Sequence, residues 1–195
     1  MTPDRALRRT VLIVALLNLG YFGIEFTAAL RINSVSLFAD SVDFLEDASV
    51  NILIFVAIGW TALHRARVGM VLAGLMAVPA LAFLWTLWQK YLAPVAPDAS
   101  VLTWVGLGAL AVNLFCAFLL AKHRKTAGSL TRAAFLSARN DAVANVAIIV
   151  AGVLTAAHLS IWPDLIVGLA IAAMNLDAAV EVWEAARAEG KAAQS

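Results

Sequence analysis

Six runs of mostly apolar residues, each about the length that a helix needs to cross a bilayer, govern what this chain can become. They fall at about 10–31, 37–61, 68–90, 101–121, 133–156 and 161–183. A soluble domain of 195 residues has no core large enough to hide them. The chain is 63% hydrophobic and 14% charged, against about 25% charged in soluble domains, and its mean hydropathy is +0.87. The runs are too long and too apolar for strands. Polar or helix-breaking residues separate them: Ile32-Asn33-Ser34, His64-Arg65-Ala66-Arg67, Pro94 to Ser100, Lys122 to Arg132, and His158-Leu159-Ser160. Trp162-Pro163-Asp164 reads as a helix start with proline in its first turn. The sequence therefore predicts an all-α integral membrane protein, a single domain over residues 1–195 with six transmembrane helices.

The start of the chain, with Arg5, Arg8 and Arg9 before an apolar run from Val11, is also how a signal peptide begins. This run is long, holds Asn18 and Glu25, and has no small-residue cleavage site at the expected distance. It reads as a retained first span. If the N-terminus is cytoplasmic, Arg5, Arg8, Arg9, Arg65, Arg67, Lys122, Arg124, Lys125, Arg132, Arg187 and Lys191 all lie inside. Only Arg31 and Lys90 then lie outside. That bias predicts cytoplasmic N- and C-termini. The tryptophans sit mostly near span ends, as interfacial belts or as packing residues. A formal net charge of +1 gives no reason to expect nucleic acid as a partner. Cys116, the only cysteine, can form no intrachain disulfide and reads as a small buried hydrophobe.

Against this background the acids stand out. The second run holds Asp40, Asp43, Glu46 and Asp47. An ionised carboxylate at mid-bilayer costs several kcal/mol and is seldom kept without a use. At about 100° per residue, Asp40, Asp43, Asp47 and Asn51 share an arc of about 80°, and Phe38, Val42, Leu45 and Ile52 take the other side. The fifth run places Ser137, Asn140, Asp141 and Asn145 on one broad face, and the first aligns Asn18, Tyr21 and Glu25. Three polar stripes on three apolar helices pack most simply by facing one another. Asp43 and Asp47, at i and i+4, lie one above the other and repel, so either they hold protons or a cation sits between them. Asp141 can close the shell, with Asn140 or Ser137 completing it. Such oxygen donors suit hard or borderline divalent ions, and a site alternating between protons and metal is what an exchanger needs. Asp40 reads as a cap or helix-start hydrogen bond, or else as a direct metal ligand, and Glu25 as a partner of the second helix. Either of these two acids can alternatively relay protons. Glu46 points off the stripe, toward Arg139 or an aqueous vestibule. Asn18, Asn113 and Asn175 read as interhelical hydrogen-bond formers, and Asp164 as a cap.

The run from Ser34 to Asp47, with Ala39-Asp40, then Asp43 and Asp47, resembles the second span of the cation diffusion facilitators. In that family an Ala-Asp pair is followed by His or Asp and then by Asp. The stretch Ser137 to Asp141, followed by Ala147-Ile148-Ile149-Val150-Ala151-Gly152, is similar to the family's fifth span, and Trp162-Pro163-Asp164 to the opening of its sixth. The likeness covers roughly residues 10–187. It implies a dimeric, proton-coupled exporter of Zn²⁺ or a related ion, with a mid-membrane site on the second and fifth helices. Mn²⁺, Co²⁺, Cd²⁺ and Fe²⁺ are the other candidate substrates. The metal is cargo, and no prosthetic group or enzymatic activity is implied. Three departures shape the expectation. Ser137 stands where the family usually has His or Asp, which hardens the site toward oxygen. The usual cytoplasmic domain after the sixth span is not expected here. The loop between spans four and five is basic rather than histidine-rich.

Two other classes fit an acid-lined membrane bundle: a non-transporting subunit whose acids handle protons, and an intramembrane metal-dependent phosphotransferase. The lean loops point to a bacterial inner membrane.

Overall fold

The computed structural model describes residues 3–57, 83–122 and 129–174. Within them the chain forms six helical segments and no strand: α1 (Pro3–Ile32), α2 (Val35–Ala57), α3 (83–92), α4 (Ala99–Ala121), α5 (Ser129–His158) and α6 (Trp162–Met174). The chain is an all-helical integral membrane protein. Most of the expected third span, the ends of the second and sixth, and the basic stretches near Arg65 and Arg124 lie outside the described residues, as do Asn175, Trp60 and Trp183.

Among the described residues, three helices are long and apolar enough to cross a bilayer: Arg5–Ile32, Ala99–Ala121 and Ser137–His158. α2 is also long, with 23 residues. Its four acids lie so centrally that every bilayer-length stretch of it contains them all. Composition alone thus makes α2 a helix that must turn one face away from lipid.

Local chemistry sets the helix ends. α1 stops at Asn33, whose φ of 50° is left-handed, a conformation that asparagine tolerates. The Ser34 amide then donates back to the Ala29 carbonyl at 3.0 Å, closing the turn. Asp98 caps α4, accepting from the Ser100 amide at 2.9 Å and the Val101 amide at 3.0 Å. α2 is capped from a distance. Asp164, expected to cap its own helix, instead accepts from the Val35 amide at 2.9 Å and the Ser36 amide at 3.0 Å.

That cap needs α6 to lie against the start of α2, and Gly168 permits it. A Cβ at Gly168 would stand 2.7 Å from both the Ser36 nitrogen and the Val35 carbonyl carbon. Backbone cannot yield as a side-chain tip can. Gly168→Ala is expected to lower stability by about 1–3 kcal/mol, read as a fall in the melting temperature of the purified protein. An unchanged melting temperature would refute the close approach.

α1 packs along α2 and α4 along α5, while α1–α4 and α2–α5 contacts close a four-helix ring. Two apolar clusters lie inside it. One, toward the α1–α2 turn, joins Ala29, Val35, Phe38, Leu102, Ile148 and Ile171. The other, toward the opposite end, joins Val11, Val14, Ile54, Cys116, Leu120 and Ala138. Between them, at mid-bundle, lie the polar stripes. Leu16, Ile24, Trp104, Phe118, Val143 and Val153 are exposed on the outer surface.

Candidate metal site

The α2 stripe faces into the ring, as its helical spacing requires. Asp47 is only 5% exposed. Its Oδ1 accepts from Ser137 Oγ of α5 at 2.9 Å, and its Oδ2 from Asn18 Nδ2 of α1 at 3.5 Å. Asn18 Oδ1 in turn accepts from Cys116 Sγ of α4 at 3.7 Å. Asp141, one turn beyond Ser137, comes within hydrogen-bonding reach of Asp47. α1 and α5 therefore meet α2 at Asp47, and α4 joins them through Asn18.

A second polar tier lies about two helical turns along. Asn113 Nδ2 of α4 donates to Asn145 Oδ1 of α5 at 3.1 Å, and Asn145 Nδ2 donates to Asp40 Oδ2 of α2 at 2.5 Å. Glu25 of α1 lies beside Asp40. Asp43 sits on α2 between the tiers, half-buried, facing Asp141, Asp40 and Asp47. Tyr21 occupies the matching height on α1. Its hydroxyl donates to the Val105 carbonyl at 2.6 Å, and its ring lies 5.0 Å from that of Phe44.

The expected site residues thus divide. Asp47, Asp141 and Ser137 come together, with Asp43 beside them. Asp40 and Glu25 form their own pair in the next tier. Asn140 is not brought in: it is exposed, and its Oδ1 accepts from Arg139 Nη2 at 3.2 Å. Arg139 likewise faces outward rather than the acids. Among the described residues, no three His, Cys, Asp or Glu side chains converge on one point closely enough to enclose an ion. The carboxylates are gathered around a common space rather than arranged as a finished chelate. Asn18 and Asn113 are interhelical hydrogen-bond formers, as expected. Asn145, expected on the polar face of the fifth run, lies in the same interior, and so does Cys116, which spacing could have found because it is i+3 from Asn113.

The inward donor set is carboxylate, hydroxyl and amide oxygen, with one thiol at its edge. Residues 11–188 match the model of the cation efflux transmembrane domain. The chain belongs to the cation efflux family. That family consists of metal cation transporters rather than enzymes. The matched region contains all four helices of the ring. No curated protein matches the chain closely enough to count as a relative.

Proposed function

We propose that the protein exports a divalent metal cation in exchange for protons, by alternating access, from the cytoplasm of a bacterial cell across its inner membrane. Zn²⁺ is the first candidate, with Mn²⁺, Co²⁺, Cd²⁺ and Fe²⁺ behind it. One observation carries this reading: Asp47 and Asp141, from two different helices, meet inside the ring with Asp43 one turn away. Carboxylates so placed repel one another, and only a cation or protons relieve the repulsion. In this reading Asp43, Asp47 and Asp141 are the metal ligands. Ser137 holds Asp47 through its hydroxyl, and a metal on Oδ2 leaves that bond on Oδ1 intact. Asn140 joins only by turning away from Arg139, and water otherwise fills its place. The apolar clusters on either side of the acids are the layers that a rocking motion would part in turn. A homodimer with cytoplasmic termini completes the proposal.

The test is flux in liposomes carrying a pH gradient, metal by metal. Saturable, proton-driven flux of one ion, abolished by Asp141→Ala, is the expected result. Well-folded protein that moves no ion would sink the proposal and favour a non-transporting, proton-handling subunit.

A further inference from the structure

The tier built on Glu25 and Asp40 contains an unsolved hydrogen-bonding problem. Both residues are 0% exposed. Among the described residues, none donates a hydrogen bond to either Glu25 oxygen or to Asp40 Oδ1. Asp40 Oδ2 is occupied by Asn145 Nδ2, and Asn145 is oriented by Asn113, whose amide donates to Asn145 Oδ1. The two amides form a directed chain, Asn113 to Asn145 to Asp40, which holds Asp40 as an acceptor and offers nothing to Glu25. Two buried carboxyl groups therefore face each other, acceptor against acceptor.

Among the described residues, the groups that face the pair supply no cation. Tyr21 stands one turn away on α1, and its hydroxyl is committed to Val105. Asp43 and Asp47 face it from α2, and Asp141 from α5. From α4 come the neutral Asn113 and, nearer Asp47, Cys116. Buried carboxylates without a donor cost more than any hydrogen bond between them returns. One proton removes the conflict: a Glu25 hydroxyl donates to Asp40 Oδ1, one charge disappears, and two orphaned oxygens are satisfied at once.

We propose that Glu25 and Asp40 share one proton in the metal-free protein, and that metal binding at the neighbouring acids expels it. The pair is then a proton site separate from the metal site, and this rests on the exchange reading above. The step balances simply: the Glu25 O–H bond breaks, the proton leaves to water, and the pair passes from one negative charge to two. A dication one turn away favours the second charge by direct attraction. The two sites also share their scaffold, since the Asn145–Asp40 bond ties α5 to α2, the same helices that carry Asp141 and Asp47.

Glu25→Gln tests the idea, because the amide supplies the missing donor permanently. Protons released when Zn²⁺ or Mn²⁺ is added to weakly buffered purified protein are counted with a pH indicator. The variant is expected to release one fewer per metal bound, and its limiting accumulation ratio in liposomes to fall about tenfold per pH unit of gradient. The infrared band of protonated carboxyl groups in the metal-free protein is expected to lose the intensity of one such group. Asp40→Asn, which removes the acceptor, repeats the test if Glu25→Gln does not fold. An unchanged proton count and an unchanged band overturn the proposal. So does a second metal equivalent that the wild type binds and the variant loses, which would make the pair a cation site. Wild-type protein that binds no metal would instead overturn the exchange reading, and the infrared band alone would then decide whether the proton is shared.

Discussion

Asp47→Asn is expected to reduce metal flux by at least roughly 100-fold while leaving a folded protein. The substitution keeps the shape and one acceptor oxygen. Ser137 can still donate to that oxygen, and the long contact to Asn18 can survive a turn of either amide. What disappears is the charge at the point where α1, α2 and α5 meet. Removing a group that only supports a metal ligand commonly costs 10- to 100-fold in affinity, so loss of a ligand at the centre of the set should cost more. Removing a buried charge that has no cationic partner among the described residues should, if anything, stabilise the metal-free protein. The two effects have opposite signs, and this separates a ligand from a structural acid. Flux and melting temperature are measured on the same preparation. Flux that survives Asp47→Asn would remove Asp47 from the pathway, and a collapsed melting temperature would mark it as structural.

The features legible in the sequence were those carried by local pattern. Hydropathy located α1, α4 and α5 to within several residues, because a bilayer imposes a minimum length and a uniform polarity. The stripe on α2 was legible because an 80° arc of acids on an apolar helix has few places to go. On α5 the pattern was blurred. Ser137, Asp141 and Asn145 follow one another at i+4, whereas Asn140 precedes Asp141 by one residue and so lies about 100° around the helix. The structure follows the i+4 series, placing Asn145 inside and Asn140 outside. Contacts between distant segments left no local trace. Lys90 reads as a loop-side cation at the end of an apolar run, yet it is buried, 1% exposed, and paired with a residue of α6. The donorless state of Glu25 was equally hidden. It depends on which way Asn145 is turned, and therefore on Asn113 of a third helix.

Asp164→Ala is expected to be the most destabilising single substitution among the described residues, at about 3–5 kcal/mol. Asp164 is 0% exposed. Its Oδ1 accepts from Ser34 Oγ at 2.6 Å, Ser36 Oγ at 2.7 Å and the Ser36 amide at 3.0 Å, and its Oδ2 from the Val35 amide at 2.9 Å. The next amide of α2, Leu37, donates to Ser34 Oγ at 3.2 Å, and Phe38 to the Ser34 carbonyl at 3.3 Å. All four amides that open α2 are thereby satisfied, two of them by a residue about 130 positions away in sequence. Lys90 Nζ lies 3.6 Å from Asp164 Oδ2 and donates to the Asn33 carbonyl at 2.7 Å. One carboxylate thus ties the α1–α2 turn, α3 and α6 together. Alanine would leave a buried ammonium without its counter-charge and two amides without acceptors. Lys90→Met should cost less, because Asp164 keeps its four donors. The double variant should then recover part of the loss seen in Asp164→Ala, since it removes the stranded charge. Denaturant or thermal unfolding of the four proteins measures this cycle. Strict additivity would mean that Lys90 and Asp164 do not act as a pair. The same network sets the height of α2, and hence of Asp40, Asp43 and Asp47, so any Asp164 variant that still folds should show weakened flux without having touched a metal ligand.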